Sequence, residues 1–498
     1  MDKSKKYILA IDQSTSATKT ILFNQKGKLE FRSTIPHQQY YPQPGFVEHD
    51  PIEIFNNTIS AIKETLAAAN STEDEIACLA VTNQRETIMI WDKTTGQPVY
   101  NATVWQCQRG TPYCNELKAK GYSKLIQQKT GLIIDPYFSA SRLHWIMNNV
   151  EGLQEKAQKG ELLMGTMDTW LLWKLTDGKV HATDYSNACR TMLFNIHTLK
   201  WDDELIGLFG LHGNMFPEVR FSNEIFGETD SSVIFENPIP IAGLLGDSHA
   251  ALFGQNCFSQ GMAKATYGTG SSIMMNIGLE PLESPEGLVT SIGYGIDQSI
   301  YYVFEGNIHC TGDTLNWLKN EVQLINDASE TEALATSVEN NNGVYLVPAF
   351  VGLGAPYWDN QARACLSGMP RNTTKAHIVR AALESIGYQV KDLISLMEEK
   401  GGIQLKELRA DGGPTRNDFL MEFQSGILNR NVARSEIEEV SALGATFMAG
   451  LAVGFWKNLE EIQSLREDGK LFEPAMDQDK ITTNYAGWKK AVERARLN

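Results

Sequence analysis

Residues 246–255 read Gly246-Asp247-Ser248-His249-Ala250-Ala251-Leu252-Phe253-Gly254-Gln255, and they predict a turn from a strand into a helix. They follow the apolar run 239–245, which is typical of a buried strand. Asp247 would then lie just beyond the end of a strand, where open α/β sheets bind their ligands. The alternative is that Asp247 does no more than cap the helix, and the rest of the chain decides between the two.

Two other stretches share one pattern, in which a turn rich in Ser, Thr and Gly joins two strands. In the first, the turn 12–19 lies between strands 7–11 and 20–23; in the second, the turn 268–272 lies between strands 262–267 and 273–277. The backbone N–H groups and hydroxyls of such turns suit an anion. Since each copy opens about half of the chain, we expect two similar domains, residues 1–254 and 255–498, sharing a phosphate between facing hairpins.

The composition indicates a globular protein and argues against several other classes. Of 498 residues, 42% are hydrophobic and 21% are charged, which is ordinary for a soluble protein. The net charge of −16 argues against nucleic acid as a partner. Seven cysteines without a C-x-x-C pair predict reduced thiols and no structural zinc site. We find neither an apolar leader nor a stretch that could span a membrane, and therefore expect a cytoplasmic protein.

Polar and aromatic side chains follow the predicted strand 76–81. Arg85 and Glu86 can both be buried there if they hydrogen-bond a polar guest. The alternative is an exposed ion pair of little value. Trp105 and Tyr137 place rings in otherwise polar turns, where packing in the core is the alternative to contact with a ligand.

Several further elements complete the prediction. Asp50-Pro51 predicts the start of a helix. Helices are also predicted over 166–175, 379–397 and 442–450, a polar loop over 185–191, and a strand over 405–410. The strand 405–410 runs into Gly412-Gly413, a turn through which the backbone can approach a flat ligand closely.

Taken in order, segments along nearly the whole chain resemble motifs of the FGGY carbohydrate kinases. They are Asp12-Gln13-Ser14-Thr15, Gly45-Phe46-Val47-Glu48-His49-Asp50-Pro51, Asn83-Gln84-Arg85-Glu86-Thr87, Val104-Trp105-Gln106-Cys107, Thr183-Asp184-Tyr185-Ser186-Asn187-Ala188, Thr266-Tyr267-Gly268-Thr269-Gly270, Asp411-Gly412-Gly413 and Ala442-Leu443-Gly444-Ala445. The segment around Arg85 resembles the branch of the family that acts on glycerol.

The resemblance implies an α/β fold of two ribonuclease H-like domains, of the actin and hexokinase ATPase type, with a catalytic cleft between them. It implies ATP and Mg²⁺ as cofactors, a small polyol phosphorylated on a terminal hydroxyl, and a homo-oligomer, either a dimer or a tetramer. Glycerol is the first expectation for the substrate. The alternatives are a polyol or ketose of four or five carbons, and an actin-like ATPase outside metabolism.

The resemblance also implies roles for single residues. Asp247 would be the general base that takes the proton of the attacking hydroxyl, and together with Asp12 it would hold Mg²⁺. The implied substrate-binding residues are Arg85, Glu86, Trp105, Tyr137, Asp247, Ser248 and Ser272. The implied nucleotide-binding residues are Ser14, Thr15, Ser16, Lys19, Gly268, Thr269, Gly312, Asn316, Gly413 and Asn417.

Several positions depart from the family's pattern, among them Pro414-Thr415-Arg416, which follow Asp411-Gly412-Gly413 where small residues are usual. Members of the glycerol branch usually carry Gln where this chain has Ser248, and Phe where it has Ser272; Lys19 replaces an arginine. Because that Phe forms a wall of the pocket, the two serines predict a larger and wetter site that a longer polyol could fill. The alternative is that neighbouring side chains or an ordered water close the gap.

Overall fold

The computed structural model describes residues 4–437, 439–466 and 469–497. The strands of the first half are β1 (Tyr7–Gln13), β2 (Ala17–Asn24), β3 (Leu29–Pro36), β4 (Glu48–His49), β5 (Ile76–Asn83), β6 (Ile88–Asp92), β7 (Ala102–Thr103), β8 (Leu162–Thr166), β9 (Ala182–Asp184), β10 (Phe194–Asn195), β11 (Lys200–Trp201), β12 (Glu218–Arg220), β13 (Ile225–Glu228) and β14 (Pro240–Gly246). Its helices are α1 (Pro51–Ala69), α2 (Thr111–Ala119), α3 (Ser123–Thr130), α4 (Ser139–Asn149), α5 (Leu153–Gln158), α6 (Met167–Leu175), α7 (Tyr185–Ala188), α8 (Asp203–Leu208) and α9 (Asp247–Gly254).

The strands of the second half are β15 (Met262–Tyr267), β16 (Ser271–Gly278), β17 (Val289–Ile296), β18 (Ser299–Ile308), β19 (Tyr345–Val347), β20 (Cys365–Ser367), β21 (Glu407–Asp411), β22 (Asn431–Arg434) and β23 (Leu471–Phe472). Its helices are α10 (Gly312–Asn320), α11 (Glu330–Thr336), α12 (Lys375–Gly401), α13 (Asp418–Leu428), α14 (Val440–Ala452), α15 (Leu459–Ser464) and α16 (Gln478–Ala495).

The main sheets of the two halves are built in the same way. Read in the same direction, their strand orders are β3-β2-β1-β5-β14-β13 and β17-β18-β16-β15-β21-β22-β23, so that the second sheet has one additional strand, β17, at its edge. In the first sheet, β1 pairs antiparallel with β2 and parallel with β5; in the second, β15 pairs antiparallel with β16 and parallel with β21. The two hairpins found in the sequence therefore open two similar sheets, and the predicted α/β class is confirmed.

Local sequence signals explain where the helices begin. The helix predicted after Asp50 is α1, whose first turn is capped because the Asp50 carboxylate accepts a hydrogen bond from the backbone N–H of Ile52 at 2.8 Å. It ends where Asn70 adopts a left-handed conformation, with φ 54°.

The prediction of a polar loop over 185–191 is wrong. These residues form α7 and a 3₁₀ turn, and all but Tyr185 are buried. The carboxylate of Asp184 accepts hydrogen bonds from the N–H groups of Ser186 at 3.0 Å and Asn187 at 2.9 Å. An N-cap therefore turns this polar segment into a helix, since it satisfies donors that a buried loop would leave unpaired.

Helix α14 lies far along the chain yet packs on the first sheet and on α9. Small residues allow the two helices to touch. A Cβ atom added to Gly444 would lie 1.8 Å from the carbonyl oxygen of Ala250. This contact holds α9 closely against α14.

No helix in the described part of the chain is long and apolar enough to cross a membrane. All seven cysteines are free thiols.

Candidate active site

Asp247 is the first residue of α9 and follows β14 directly. Its Oδ1 accepts hydrogen bonds from Arg85 Nε at 3.1 Å and from the N–H of Ser248 at 2.6 Å. The side chain remains 40% exposed, although that of Arg85 is only 5% exposed. The N-cap residue is Gly246, without a side-chain cap. Asp247 is therefore not the N-cap residue, and its carboxylate stays open to a reactant.

A buried network of charges lies behind Asp247. Arg85 donates from both terminal nitrogens to Glu305, at 3.2 and 3.0 Å. Arg190 contacts the same carboxylate at 2.6 Å and donates to Glu86 Oε1 at 2.6 Å. Burial alone would raise the pKa of Glu305, but the two guanidiniums outweigh it and hold that pKa well below its usual range. Burial raises the pKa of Glu86 despite both arginines.

The backbone of Glu86 is held in an unusual conformation, with φ 59°. Its carbonyl oxygen accepts hydrogen bonds from Ser139 Oγ at 2.7 Å and from Arg142 Nη2 at 2.5 Å. A left-handed residue that is neither Gly nor Asn costs free energy and persists only where surrounding contacts fix it. The position of Glu86, just beyond β5, is thus set by two buried donors.

Trp105 and Tyr137 form an aromatic wall near this network. Their rings meet edge to face, with centroids 5.6 Å apart, and both side chains are half-buried. Arg142 donates to the carbonyl oxygens of both residues, at 3.2 and 2.9 Å. The indole N–H of Trp105 donates to Thr15 Oγ1 at 2.9 Å, which links the wall to the first hairpin turn.

The first hairpin turn carries the predicted phosphate-binding residues. Ser14 and Thr15 are half-buried and Ser16 is exposed. The N–H and the hydroxyl of Ser14 both donate to the carbonyl oxygen of Ala17 at 2.9 Å, which closes the turn. Lys19 Nζ lies 2.7 Å from Glu439 and 3.7 Å from Asp12. Burial raises the pKa of Asp12 to about 6, against the opposing charge of Lys19. The charge of Asp247 also raises the pKa of Asp12, so the two carboxylates lie near each other.

The second hairpin turn packs on the start of α10. The N–H of Gly312 donates to the carbonyl oxygen of Gly268 at 2.9 Å, and the N–H of Thr311 donates to that of Thr269 at the same distance. Gly268 and Thr269 are exposed. Asn316 is exposed on α10, one turn beyond Gly312.

A cavity of about 580 Å³ opens beside Gly413. It is lined by Gly412, Gly413, Thr415, Arg416, Arg434, Ser435, Glu436 and Ile437. The side chain of Asn417 is hydrogen-bonded within the protein: its Oδ1 caps α13, and its Nδ2 donates to Thr331 Oγ1 at 3.0 Å. The Gly412-Gly413 turn therefore lines the cavity, whereas the amide of Asn417 stabilises the start of α13.

Ser248 and Ser272, the two serines that depart from the family's pattern, come from different halves of the chain. Ser248 follows Asp247 in α9, and Ser272 lies in β16, where its hydroxyl accepts a hydrogen bond from Lys264 Nζ at 3.3 Å. Both are half-buried.

Two family models match this chain. The N-terminal domain of the FGGY family of carbohydrate kinases matches residues 7–254, and its C-terminal domain matches residues 263–453. The chain belongs to the FGGY family of carbohydrate kinases. The glycerol kinases of Bacillus anthracis and Bacillus cereus (strain AH187) are each 51% identical to this FGGY kinase over 492 residues, with 99% of both chains covered.

Solved structures agree with this assignment. Plasmodium falciparum glycerol kinase with ADP superposes with a TM-score of 0.95 at 38% identity, covering 99% of this chain and 98% of that one. Gluconate kinase from Lactobacillus acidophilus has a TM-score of 0.86 at 21% identity, covering 98% and 96%, which is a likeness of fold alone. The two ribonuclease H-like domains are thereby confirmed, and the kinase prediction is favoured over the actin-like alternative.

Sequence reasoning missed two residues of this FGGY kinase's buried network. Glu305 lies within β18, and Arg190 lies in the segment predicted as a loop. A signal was present for Glu305, since a charged residue inside an otherwise apolar strand is seldom buried without a partner.

The two carboxylates near the first hairpin fit Mg²⁺. Asp12 and Asp247 come from different strand ends, and no group of three or more metal-binding side chains occurs among the residues that the structure describes. Mg²⁺ in kinases is usually held by one or two carboxylates and the nucleotide's phosphates, without a full protein cage. This donor set suits a cation that arrives with its nucleotide.

Proposed function

We propose that this FGGY kinase transfers the γ-phosphoryl group of ATP to a terminal hydroxyl of glycerol, forming glycerol 3-phosphate and ADP. The observation that carries the proposal is the bond between Arg85 and Asp247, which joins a partly exposed carboxylate to the buried charges, with the edge-to-face rings of Trp105 and Tyr137 near them. Full-length identity of 51% with glycerol kinases supports it.

The residues divide the work according to their chemistry. Arg85 and Glu86 offer a donor and an acceptor to the hydroxyls of the polyol, and Trp105 packs against its carbon chain. Asp247 Oδ accepts the proton of the terminal hydroxyl as the oxygen of that hydroxyl bonds to the γ-phosphorus; the bond between the γ-phosphorus and the β–γ bridging oxygen breaks, and that oxygen leaves with ADP. Positioning and charge stabilisation account for most of the catalysis of phosphoryl transfer.

The nucleotide's phosphates are bound by the two hairpin turns. Ser14, Thr15, Ser16 and Lys19 approach from one side and Gly268 and Thr269 from the other, while the cavity at Gly413 takes the nucleoside, with Gly312 and Asn316 nearby. Asp12 and Asp247 would hold Mg²⁺, which would supply positive charge to the phosphate oxygens. Lys19 has to share its contact with Glu439 when the γ-phosphate arrives.

The direct test is to identify the product. Purified enzyme is incubated with ATP, Mg²⁺ and glycerol, and phosphorus NMR follows the reaction. We expect glycerol 3-phosphate and ADP in equal amounts, and neither without glycerol. Formation of ADP with inorganic phosphate alone would contradict the proposal.

A further inference from the structure

Several polar residues share one face of the second sheet. Thr266 lies opposite Ser272, Lys264 opposite Met274, and Met274 opposite Glu305 in the antiparallel register. Directly opposed residues point to the same side of a sheet, so Lys264, Ser272 and Glu305 share it. Glu305 bonds Arg85, which in turn bonds Asp247. This face of the sheet therefore meets Arg85 of the first half of the chain, next to Asp247.

Lys264 is fully buried on this face. Its ammonium group donates to two neutral hydroxyls, Thr266 Oγ1 at 3.2 Å and Ser272 Oγ at 3.3 Å. An ammonium group has three donors, so these two bonds leave one donor for another acceptor. Burial lowers the pKa of Lys264 although Asp411 opposes this.

His249 lies one residue beyond Ser248 in α9 and is also fully buried. Neither of its ring nitrogens has a hydrogen-bond partner. A Cβ atom added to Gly246 would lie 2.6 Å from Arg85 Cγ and 3.4 Å from His249 Nδ1, so Arg85 and His249 flank one glycine. The charged groups of Lys264 and Glu305 both lie within electrostatic range of the imidazole ring. Leaving a buried polar group unpaired costs free energy, which a ligand could recover.

The chemistry of these groups selects a hydroxyl. Both ring nitrogens of His249 are buried without a partner, and a neutral imidazole offers one donor and one acceptor. A hydroxyl can accept from Lys264 and also donate to the imidazole, whereas a carboxylate cannot donate. The carboxylates of Asp247, Glu86 and Glu305 also disfavour an anion here.

We propose that Lys264, Ser272 and His249 form a subsite for a fourth hydroxyl, so that this kinase phosphorylates four-carbon polyols as well as glycerol. The inference rests on the proposed function and extends its substrate class. The polyol would enter when the cleft opens, because Arg85, Glu86 and His249 are all 5% exposed or less.

The test compares kcat/KM for glycerol, erythritol and threitol, measured by ADP release. In the wild type we expect at least one tetritol within about tenfold of glycerol. Lys264→Met and His249→Leu each remove a hydrogen bond to a hydroxyl, and should lower the tetritol-to-glycerol ratio about tenfold. His249→Gln keeps a donor and an acceptor and should retain most of the ratio. Thr169→Val is the matched control, since it removes an unpartnered buried hydroxyl on α6, against the other face of the first sheet.

The outcomes separate the two proposals. Glycerol turnover with every tetritol below about one-hundredth of glycerol's kcat/KM overturns the subsite and leaves the proposed function intact. An unchanged ratio in both Lys264→Met and His249→Leu also overturns it. Turnover of neither glycerol nor a tetritol would overturn the proposed function itself. Because the wild-type comparison needs no variant, the test holds even if a variant fails to fold.

Discussion

Glu305 is the residue on which the buried charges behind the site depend. Glu305→Gln removes the carboxylate that the buried guanidiniums of Arg85 and Arg190 both contact. Breaking a buried ion pair costs about 3–5 kcal/mol, so we expect the free energy of unfolding to fall by about 3 kcal/mol. The KM for glycerol should rise, since Arg85 loses the group that orients it. Urea unfolding and steady-state kinetics measure the two effects.

Glu116→Gln provides the control, because Glu116 pairs with Lys120 in solvent, where an ion pair contributes little. Equal losses of unfolding free energy in the two variants would contradict the role of Glu305.

Asp168 gives the fold a pH dependence. Its carboxylate accepts hydrogen bonds from Thr166 at 2.5 Å and Thr183 at 2.6 Å, and burial raises its pKa to about 7. The folded state thus keeps a proton that the unfolded chain loses near pH ~4, and the free energy of unfolding should fall as pH rises from about 4 to about 7.

Asp168→Asn removes this titration. Its melting temperature relative to wild type should therefore be higher at about pH 8 than at about pH 5. Scanning fluorimetry at both pH values measures the melting temperature of the variant minus that of the wild type, and a value that falls as pH rises would refute the assignment.

Among single residues, those that follow the ends of strands could be predicted from the sequence, but the partners of residues within strands could not. Arg85, Glu86 and Asp247 follow apolar runs that end in polar residues, a pattern visible in the sequence. Glu305 meets Arg85 across 220 residues of chain, and no local periodicity encodes such a meeting. The double use of Asn417 as a cap and as a donor to Thr331 also depends on tertiary contacts.

At the scale of elements, the contact between α9 and α14 positions Asp247. Gly444→Ala would place a methyl group 1.8 Å from the carbonyl oxygen of Ala250, so the helices must separate. We expect the unfolding free energy to fall by about 1–3 kcal/mol and kcat to drop, since a small displacement of a catalytic group costs up to about 10²-fold.

Gly207→Ala is the matched control, because a Cβ atom added to Gly207 in α8 would meet no heavy atom within 4 Å. It should keep full kcat and at least wild-type stability. Wild-type kcat in Gly444→Ala would show that α14 does not position α9.

The helix 442–450 was predicted from its small and apolar residues, but the sheet on which it packs was not. Its apolar surface fits either sheet, and the small residues that let it touch α9 decide the matter only in three dimensions. The error over 185–191 has a similar cause. The polar residues there are typical of an exposed loop, but the cap that Asp184 provides allows them to form a buried helical turn.

At the scale of the whole molecule, the repeated hairpin predicted the architecture. The two hairpins start sheets of matching order, so their Ser-, Thr- and Gly-rich turns carry equivalent positions in the two halves. What the sequence left open was how the cleft is lined, because that depends on residues such as Lys264 and Glu305 meeting residues of the first half.

The most direct test of the account is ADP release by wild type and Asp247→Asn, with and without glycerol, beside ADP binding by calorimetry. The account predicts glycerol-dependent ADP release in the wild type. In Asp247→Asn it predicts a loss of about 10²–10⁴-fold, with ADP affinity unchanged when Mg²⁺ is absent. ADP release that ignores glycerol, or a variant that keeps more than about a tenth of wild-type turnover, would contradict it.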